Sequence, residues 1–210
     1  LFPYTTLFRS SAKGKIEQLN AQAVQYTGDM VISTDPPYYD NIPYSNLSDF
    51  FYVWMRKSLR HIYPDLLSTI SVPRMDELVA NQFRFGGKEK AQQRFLDGMT
   101  DAIRQMANKS SPEFPAAIYY AFKQSEIESE GISSTGWATF LDAVIKAGYA
   151  VVGTWPMRTE MSSRMMASGT NALANSVVLV CRKKEATAEV ITRAEFIRAL
   201  KRELPPAIAE

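Results

Sequence analysis

The run Thr34-Asp35-Pro36-Pro37-Tyr38 constrains this chain more than any other stretch. It follows Met30-Val31-Ile32-Ser33, a short β-prone segment, and precedes a turn and an amphipathic helix. Proline has no backbone N–H and cannot extend a sheet ladder, so two in a row force the chain out of a sheet. The first proline also drives Asp35 toward extended backbone. The expected result is a rigid lip at the carboxyl end of a strand, carrying a carboxylate, a backbone carbonyl and an aromatic ring. In open α/β sheets that edge is where ligands sit.

Such a lip suits one kind of chemistry. A carboxylate and a carbonyl side by side can accept both hydrogens of one –NH2 group, while Tyr38 stacks on the flat ring that bears it. An exocyclic amine on a nucleobase is a poor nucleophile because its lone pair is delocalised into the ring. Two acceptors localise that lone pair and aim it, so catalysis comes from positioning and electrostatics. A base held this way lies outside the helix stack, so a duplex substrate implies base flipping.

Asp35-Pro36-Pro37-Tyr38 resembles the [DNS]-P-P-[YFW] signature of the S-adenosylmethionine-dependent amino-methyltransferases. The longer run through Tyr44, followed by Leu47-Ser48-Asp49-Phe50-Phe51-Tyr52-Val53-Trp54, resembles a narrower group, the large adenine-specific DNA methylases of bacteria and archaea. Thr154-Trp155-Pro156-Met157-Arg158-Thr159-Glu160 and the run from Asn171 to Val180 are similar to the same group, in the same order. The likeness extends from about Lys15 to the end of the chain.

The resemblance implies an α/β fold of the class I, Rossmann-like methyltransferase type. Its sheet is mostly parallel with an antiparallel last strand and helices on both faces. It implies S-adenosylmethionine as cofactor and DNA as partner, with N6 of adenine as methyl acceptor. Asp35 and the Pro36 carbonyl would hold the amine, Pro37 would stiffen the lip, and Tyr38 would stack on the base. Thr34, Asp35 and Asn20 are the positions implied near the cofactor. RNA amino-methylation, at adenine N6 or guanine N2, uses the same lip and is the alternative, as is a binding domain that has lost transfer. Class I enzymes also carry a Gly-rich turn after their first strand, and no such turn occurs here. The expectation is therefore the catalytic-lip half of a methyltransferase over 11–210, whose partner is an N-terminal part of the same protein bearing that turn. Residues 1–10 read as a translated sequencing adapter.

Read in order, residues 15–20 alternate polar and apolar and predict a strand ending at Asn20. Met30 to Thr34 predicts the strand before the lip. Tyr39, Asp40, Asn41 and Tyr44 either line the base pocket or shape the loop. Ser48 is the expected N-cap of a helix over 49–62. In it Leu47, Phe50, Phe51, Trp54 and Met55 recur at helical spacing and read as a core stripe. His61 reads as a helix-end cation beside Arg60. Residues 64–87 are irregular, with Arg74 and Arg84 mixed among aromatics, as in a substrate-contacting loop or a solvated connector.

Lys88 to Asn108 predicts a helix with Phe95, Leu96, Met99, Ile103 and Met106 on one face. Ala116 to Phe122 predicts a strand covered on both sides, with Lys123 at its end either touching substrate or snorkelling. A helix over 135–147 is expected to point Trp137, Phe140, Leu141, Val144 and Ile145 inward and to stop at Gly148. Strands are expected at 149–155 and 176–182. Between them Arg158 and Arg164 are either phosphate contacts or surface partners of Glu160. Thr192 and Glu195 form a capping box opening a last helix, which Pro205-Pro206 would end.

A chain of 210 residues with 46% hydrophobic content suits one domain with a sizeable core. Its net charge of +2 requires any nucleic-acid contact to come from local patches. It contains no apolar run of membrane-spanning length. A lone histidine and a lone cysteine argue against a metal site and a disulfide framework. Cys181, within the last strand, reads as an inert core residue, and the cysteine usage fits a reducing cytoplasm.

Overall fold

The computed structural model describes residues 14, 17, 19–39, 42–123, 135–157, 173–185, 187–188 and 190–209. The elements follow in the order β1 (Ser33–Thr34), α1 (Tyr44–Leu59), α2 (Lys88–Lys109), β2 (Ala116–Lys123), α3 (Thr135–Lys146), β3 (Tyr149–Met157), β4 (Leu173–Lys183) and α4 (Arg193–Ala209). The strands form one four-stranded sheet in the order β1-β2-β4-β3. β1 runs parallel to β2, and β4 is antiparallel to both β2 and β3. Three strands therefore share a direction, and the last lies between the second and third, opposed to both. The α/β class and the antiparallel last strand agree with expectation, but two of the three pairings are antiparallel, so the sheet is mixed rather than mostly parallel.

Alternation along the strands decides where the core lies. Ile32, Ile118, Tyr120, Leu179, Cys181 and Tyr149 point to one face and are buried. Against them pack Phe95, Met99 and Ile103 of α2 and Phe140, Ala143 and Val144 of α3, in one continuous cluster. Helices were expected on both faces, yet the core-forming helices lie on one. On the other face Tyr119 pairs with Val178 and Val178 with Trp155, a row of apolar side chains across the sheet. Trp155 in that row is 70% exposed. The apolar run of β2 predicts burial on both sides; Ala116, Ile118 and Tyr120 are buried, but Tyr119 on the opposite face is exposed.

The helix α2, the strand β2 and the turn at Gly148 (φ 101°) match expectation. Cys181 is fully buried, and burial pushes its thiol up to about 11. The capping box also forms. The Glu195 carboxylate accepts from the Thr192 N–H and hydroxyl, both at 2.7 Å, and the Glu195 N–H donates to the Thr192 hydroxyl at 3.2 Å.

Several expectations are corrected. Residues 17, 19 and 20 are not in a strand; Asn20 instead opens a turn, accepting from the N–H groups of Ala23 and Val24. The strand before the lip is two residues long, with Met30 joined to Ser110 only by an isolated bridge. Ile145 points outward, and Ala143 takes its place in the core. α4 runs through Pro205 and Pro206 to Ala209.

The largest correction concerns α1. It begins at Tyr44, after Pro43, rather than at Ser48. Its inner stripe is polar. Ser45, Asp49 and Tyr52, at helical spacing, bond to residues of the 64–87 segment. The Tyr52 hydroxyl reaches the Thr69 carbonyl at 3.0 Å, and Asp49 accepts from the Val72 N–H at 2.8 Å and pairs with Arg74. Ser45 donates its N–H and hydroxyl to Glu77 at 2.9 and 2.6 Å, and Arg84 closes the cluster on Glu77 at 2.6 Å. Arg74 and Arg84 are thus structural clips of the loop. Leu47, Phe50, Phe51, Trp54 and Met55, expected in the core, face outward.

Burial acts to raise the Glu77 carboxyl, but the Ser45 and Arg84 hydrogen bonds and the Arg84 charge outweigh it and leave it below the usual carboxylate range. A depressed folded pKa means that the clip stabilises fully above the ordinary carboxylate pKa and is lost as pH falls through the folded value. Glu77→Gln is expected to lower stability near neutral pH by about 2 kcal/mol. In urea titrations the difference from wild type should shrink steadily in acid. A constant difference across pH would show that the clip is not ionic.

Candidate active site

The chain leaves the sheet at Thr34, whose strand partner is Ile118. β2 continues for five more residues, paired only with β4, and the lip departs beside it, meeting Tyr120. Asp35 is exposed there, and Pro36, Pro37 and Tyr38 are half-buried. Two prolines remove two backbone donors from the lip, so its anchoring depends on the residues that follow.

Tyr39 supplies that anchor. Its N–H donates to the Tyr120 hydroxyl of β2 at 3.2 Å, and its carbonyl accepts from the Ala80 N–H at 2.6 Å. Its ring is 8% exposed and meets Phe95 of α2 edge-on, with centroids 5.1 Å apart. A Cβ on Gly136, in the first turn of α3, would come within 3.0 Å of the Tyr39 Cβ; glycine there lets the helix close over the ring. Tyr120 stacks on Phe140 at 4.1 Å and takes the edge of the Tyr38 contact at 5.3 Å. Strand and helix aromatics thus form a seat under the lip. Tyr39, expected as a pocket residue or loop former, is mainly a core anchor. It also forms one wall of an open cleft of about 390 Å³ with Pro43, Ala80, Gln82, Phe83 and Lys88.

Asp35, Tyr38 and Tyr44 form one electrostatic group. Burial comes first among the causes that push the Tyr38 hydroxyl up to about 12; the Asp35 charge, a hydrogen bond to Asp35 and the nearby Tyr44 follow. Tyr38 is therefore a neutral donor at ordinary pH. Among the described residues nothing donates to the Pro36 carbonyl. One end of the lip accordingly presents a carboxylate and a carbonyl as acceptors, beside an aromatic ring.

The other expected site residues divide. Thr34 stands at the end of β1, next to Asp35. Asn20 is not part of this group: its side chain accepts from the Gln22 N–H at 2.9 Å, and that turn lies beside Gly98 and Gln105 of α2. Asp40, Asn41, Arg158 and Arg164 lie outside the described residues, as does the side chain of Lys123, the last residue of β2. Among the described residues no cluster of three or more His, Cys, Asp or Glu could hold a metal ion. No helix among them is long and apolar enough to cross a membrane.

Sequence reading did not find the parts played by Tyr120, Gly136 and Ala80. Tyr120 read as one apolar residue in a buried strand, and only the register of β2 against β1 places its hydroxyl under the lip. No protein-family model, curated protein or solved structure matches the chain.

The phenol of Tyr38 gives a direct check on this geometry. Its folded pKa lies above its ordinary value of 10.0, so its contribution to stability is complete below that value and is lost as pH rises through about 12. The ultraviolet difference titration between wild type and Tyr38→Phe should show a phenol ionising well after the exposed tyrosines. A midpoint near the ordinary value would mean that Tyr38 is not seated against Asp35. Tyr120→Phe, which leaves the buried Tyr39 N–H unpaired, should cost about 1–3 kcal/mol in denaturant unfolding.

Proposed function

We infer that this chain carries the amine-holding side of an S-adenosylmethionine-dependent methyltransferase acting on N6 of adenine in DNA. The observation that carries the reading is the exposed Asp35 carboxylate at the carboxyl end of a parallel strand, tied to the Tyr38 ring across two prolines. The blocks of the resemblance support it by their placement. The lip follows β1, Thr154 to Met157 lies in β3, and Leu173 to Val180 lies in the neighbouring antiparallel β4. Distant runs of sequence thus meet on one sheet. The strand order, with the opposed last strand between two parallel ones, is compatible with half of a class I, Rossmann-like sheet.

The residues present fit the acceptor side of the reaction better than the cofactor side. On this reading the methyl donor and the amine would meet at Thr34 and Asp35, at the end of β1, while Asn20 is turned into its own loop. A whole S-adenosylmethionine site is not assembled from the described residues, and the part of the protein bearing a Gly-rich turn is the partner this reading calls for.

On this reading a flipped adenine places its amine between the Asp35 carboxylate and the Pro36 carbonyl. Each accepts one N–H, and the lone pair is left pointing out of the ring plane. Pro37, with its fixed backbone angle, stiffens the lip that carries that carbonyl. Tyr38 lends its ring as a stacking surface, with its hydroxyl near the Asp35 carboxylate.

Labelled methyl transfer to unmethylated duplex DNA and to total RNA tests this in the whole protein carrying the chain. DNA is expected to be labelled at adenine. Asp35→Ala is expected to reduce the rate by about a hundredfold or more, the scale of losing one preorganised polar contact to the reacting group. Tyr38→Ala should weaken base binding by about 1–3 kcal/mol, the value of one stacked base. Label in RNA alone would make this an RNA amino-methyltransferase. Label in neither would leave a binding domain.

A further inference from the structure

The outward face of α1 carries two features in register. Leu47, Phe50, Phe51 and Trp54 lie along it, with Phe50 68% and Trp54 63% exposed. Lys57 follows Trp54 by three residues on that face, and Arg60 and His61 follow in the turn beyond Leu59. At that end a shallow depression of about 490 Å³ is lined by Arg56, Lys57, Arg60 and His61 and by no other residue. None of these four side chains has an ion-pair or hydrogen-bond partner among the described residues. By contrast Arg74, Arg84, Arg104, Lys146 and Arg202 are each paired with a carboxylate.

A cation or two in the last turn of a helix needs only the helix dipole to explain it. A shallow surface lined wholly by basic side chains, uncompensated and next to exposed rings, is suited to an anion. Apolar rings alone would fit any protein partner. Rings followed by unpaired cations fit a strand that offers bases and phosphates in turn.

We propose that this face of α1 is a docking surface for single-stranded nucleic acid. Phe50 and Trp54 stack on bases, and Lys57 and Arg60 hold the phosphates, with Arg56 and His61 at the edge. The inner stripe of α1 is fixed to the 64–87 segment by Ser45, Asp49 and Tyr52, so the outer stripe is presented by a braced helix. The choice of nucleic acid as partner rests on the proposed function above; what is added is a surface whose exposed rings can stack only on unpaired bases, and hence a single-stranded stretch.

Fluorescence anisotropy of a labelled single-stranded oligodeoxynucleotide, titrated with the full chain at low and moderate salt, tests this. Trp54→Ala is expected to weaken binding roughly tenfold. Reversing Lys57 and Arg60 to Glu should weaken it at least as much. It should also lower the slope of log affinity on log salt by about 1.4, two contacts at about 0.7 each. Reversing Arg198 and Lys201 to Glu, two exposed cations on α4, matches the change in net charge and should have a much smaller effect. All the substituted side chains are exposed, and circular dichroism confirms that each variant folds. Binding that neither α1 variant changes, or no binding at low salt, overturns the proposal. So does an α1 face that sediments the chain with phosphatidylglycerol vesicles while oligonucleotide affinity is untouched by the variants. The methyl-transfer reading fails separately: binding that depends on α1 without any methyl transfer removes the enzyme and keeps the surface. Asp35-dependent transfer with α1-independent binding does the reverse.

Discussion

A chain that leaves a sheet through two prolines must find its backbone partners outside the ladder. Here a single residue finds them. The Tyr39 N–H takes the Tyr120 hydroxyl and its carbonyl takes the Ala80 N–H, while its ring enters the core between Phe95 and Gly136. Those bonds join β2, both core helices and the 64–87 segment at one point. They hold the lip from its far end, as β1 holds it from the near end. The exposed carboxylate of Asp35 is left between two fixed points.

The rest of the molecule is arranged to support that span. α2 and α3 bring Phe95 and Phe140 against the same face of the sheet that carries Tyr120. The 64–87 segment has no regular structure of its own, yet it is tied to α1 by Asp49, Ser45 and Glu77 and to the lip by Ala80. An irregular segment anchored at so many polar points can position a cleft wall, and Gln82 and Phe83 stand in that wall. The acceptors of the lip, the cleft beside it and the basic end of α1 are therefore carried by elements that share one network.

Much of this was legible in the residues. Proline chemistry alone placed the lip at a strand end, and apolar periodicity placed α2, α3 and the long strands. The failures have definite physical causes. α1 was turned inside out because its rings were taken to seek the core. The competing polar stripe of Ser45, Asp49 and Tyr52 found partners that lie 17 to 32 residues away in sequence. Helix start was misplaced because Ser48 is a good cap in isolation, whereas Pro43 already fixes the turn before Tyr44. β1 shrank to two residues because only Ser33 and Thr34 pair in register with β2. Tyr120 could not be recognised before that register was known.

The central claim is that the lip receives a base extruded from a duplex. A duplex carrying 2-aminopurine in place of one adenine reports this directly, since the probe brightens when it leaves the stack. Binding of the whole protein is expected to raise its fluorescence, and Asp35→Ala and Tyr38→Ala are expected to reduce that rise. A duplex that binds with no change in fluorescence, or a rise equal in both variants, would contradict the account and leave the lip as a structural corner of the fold.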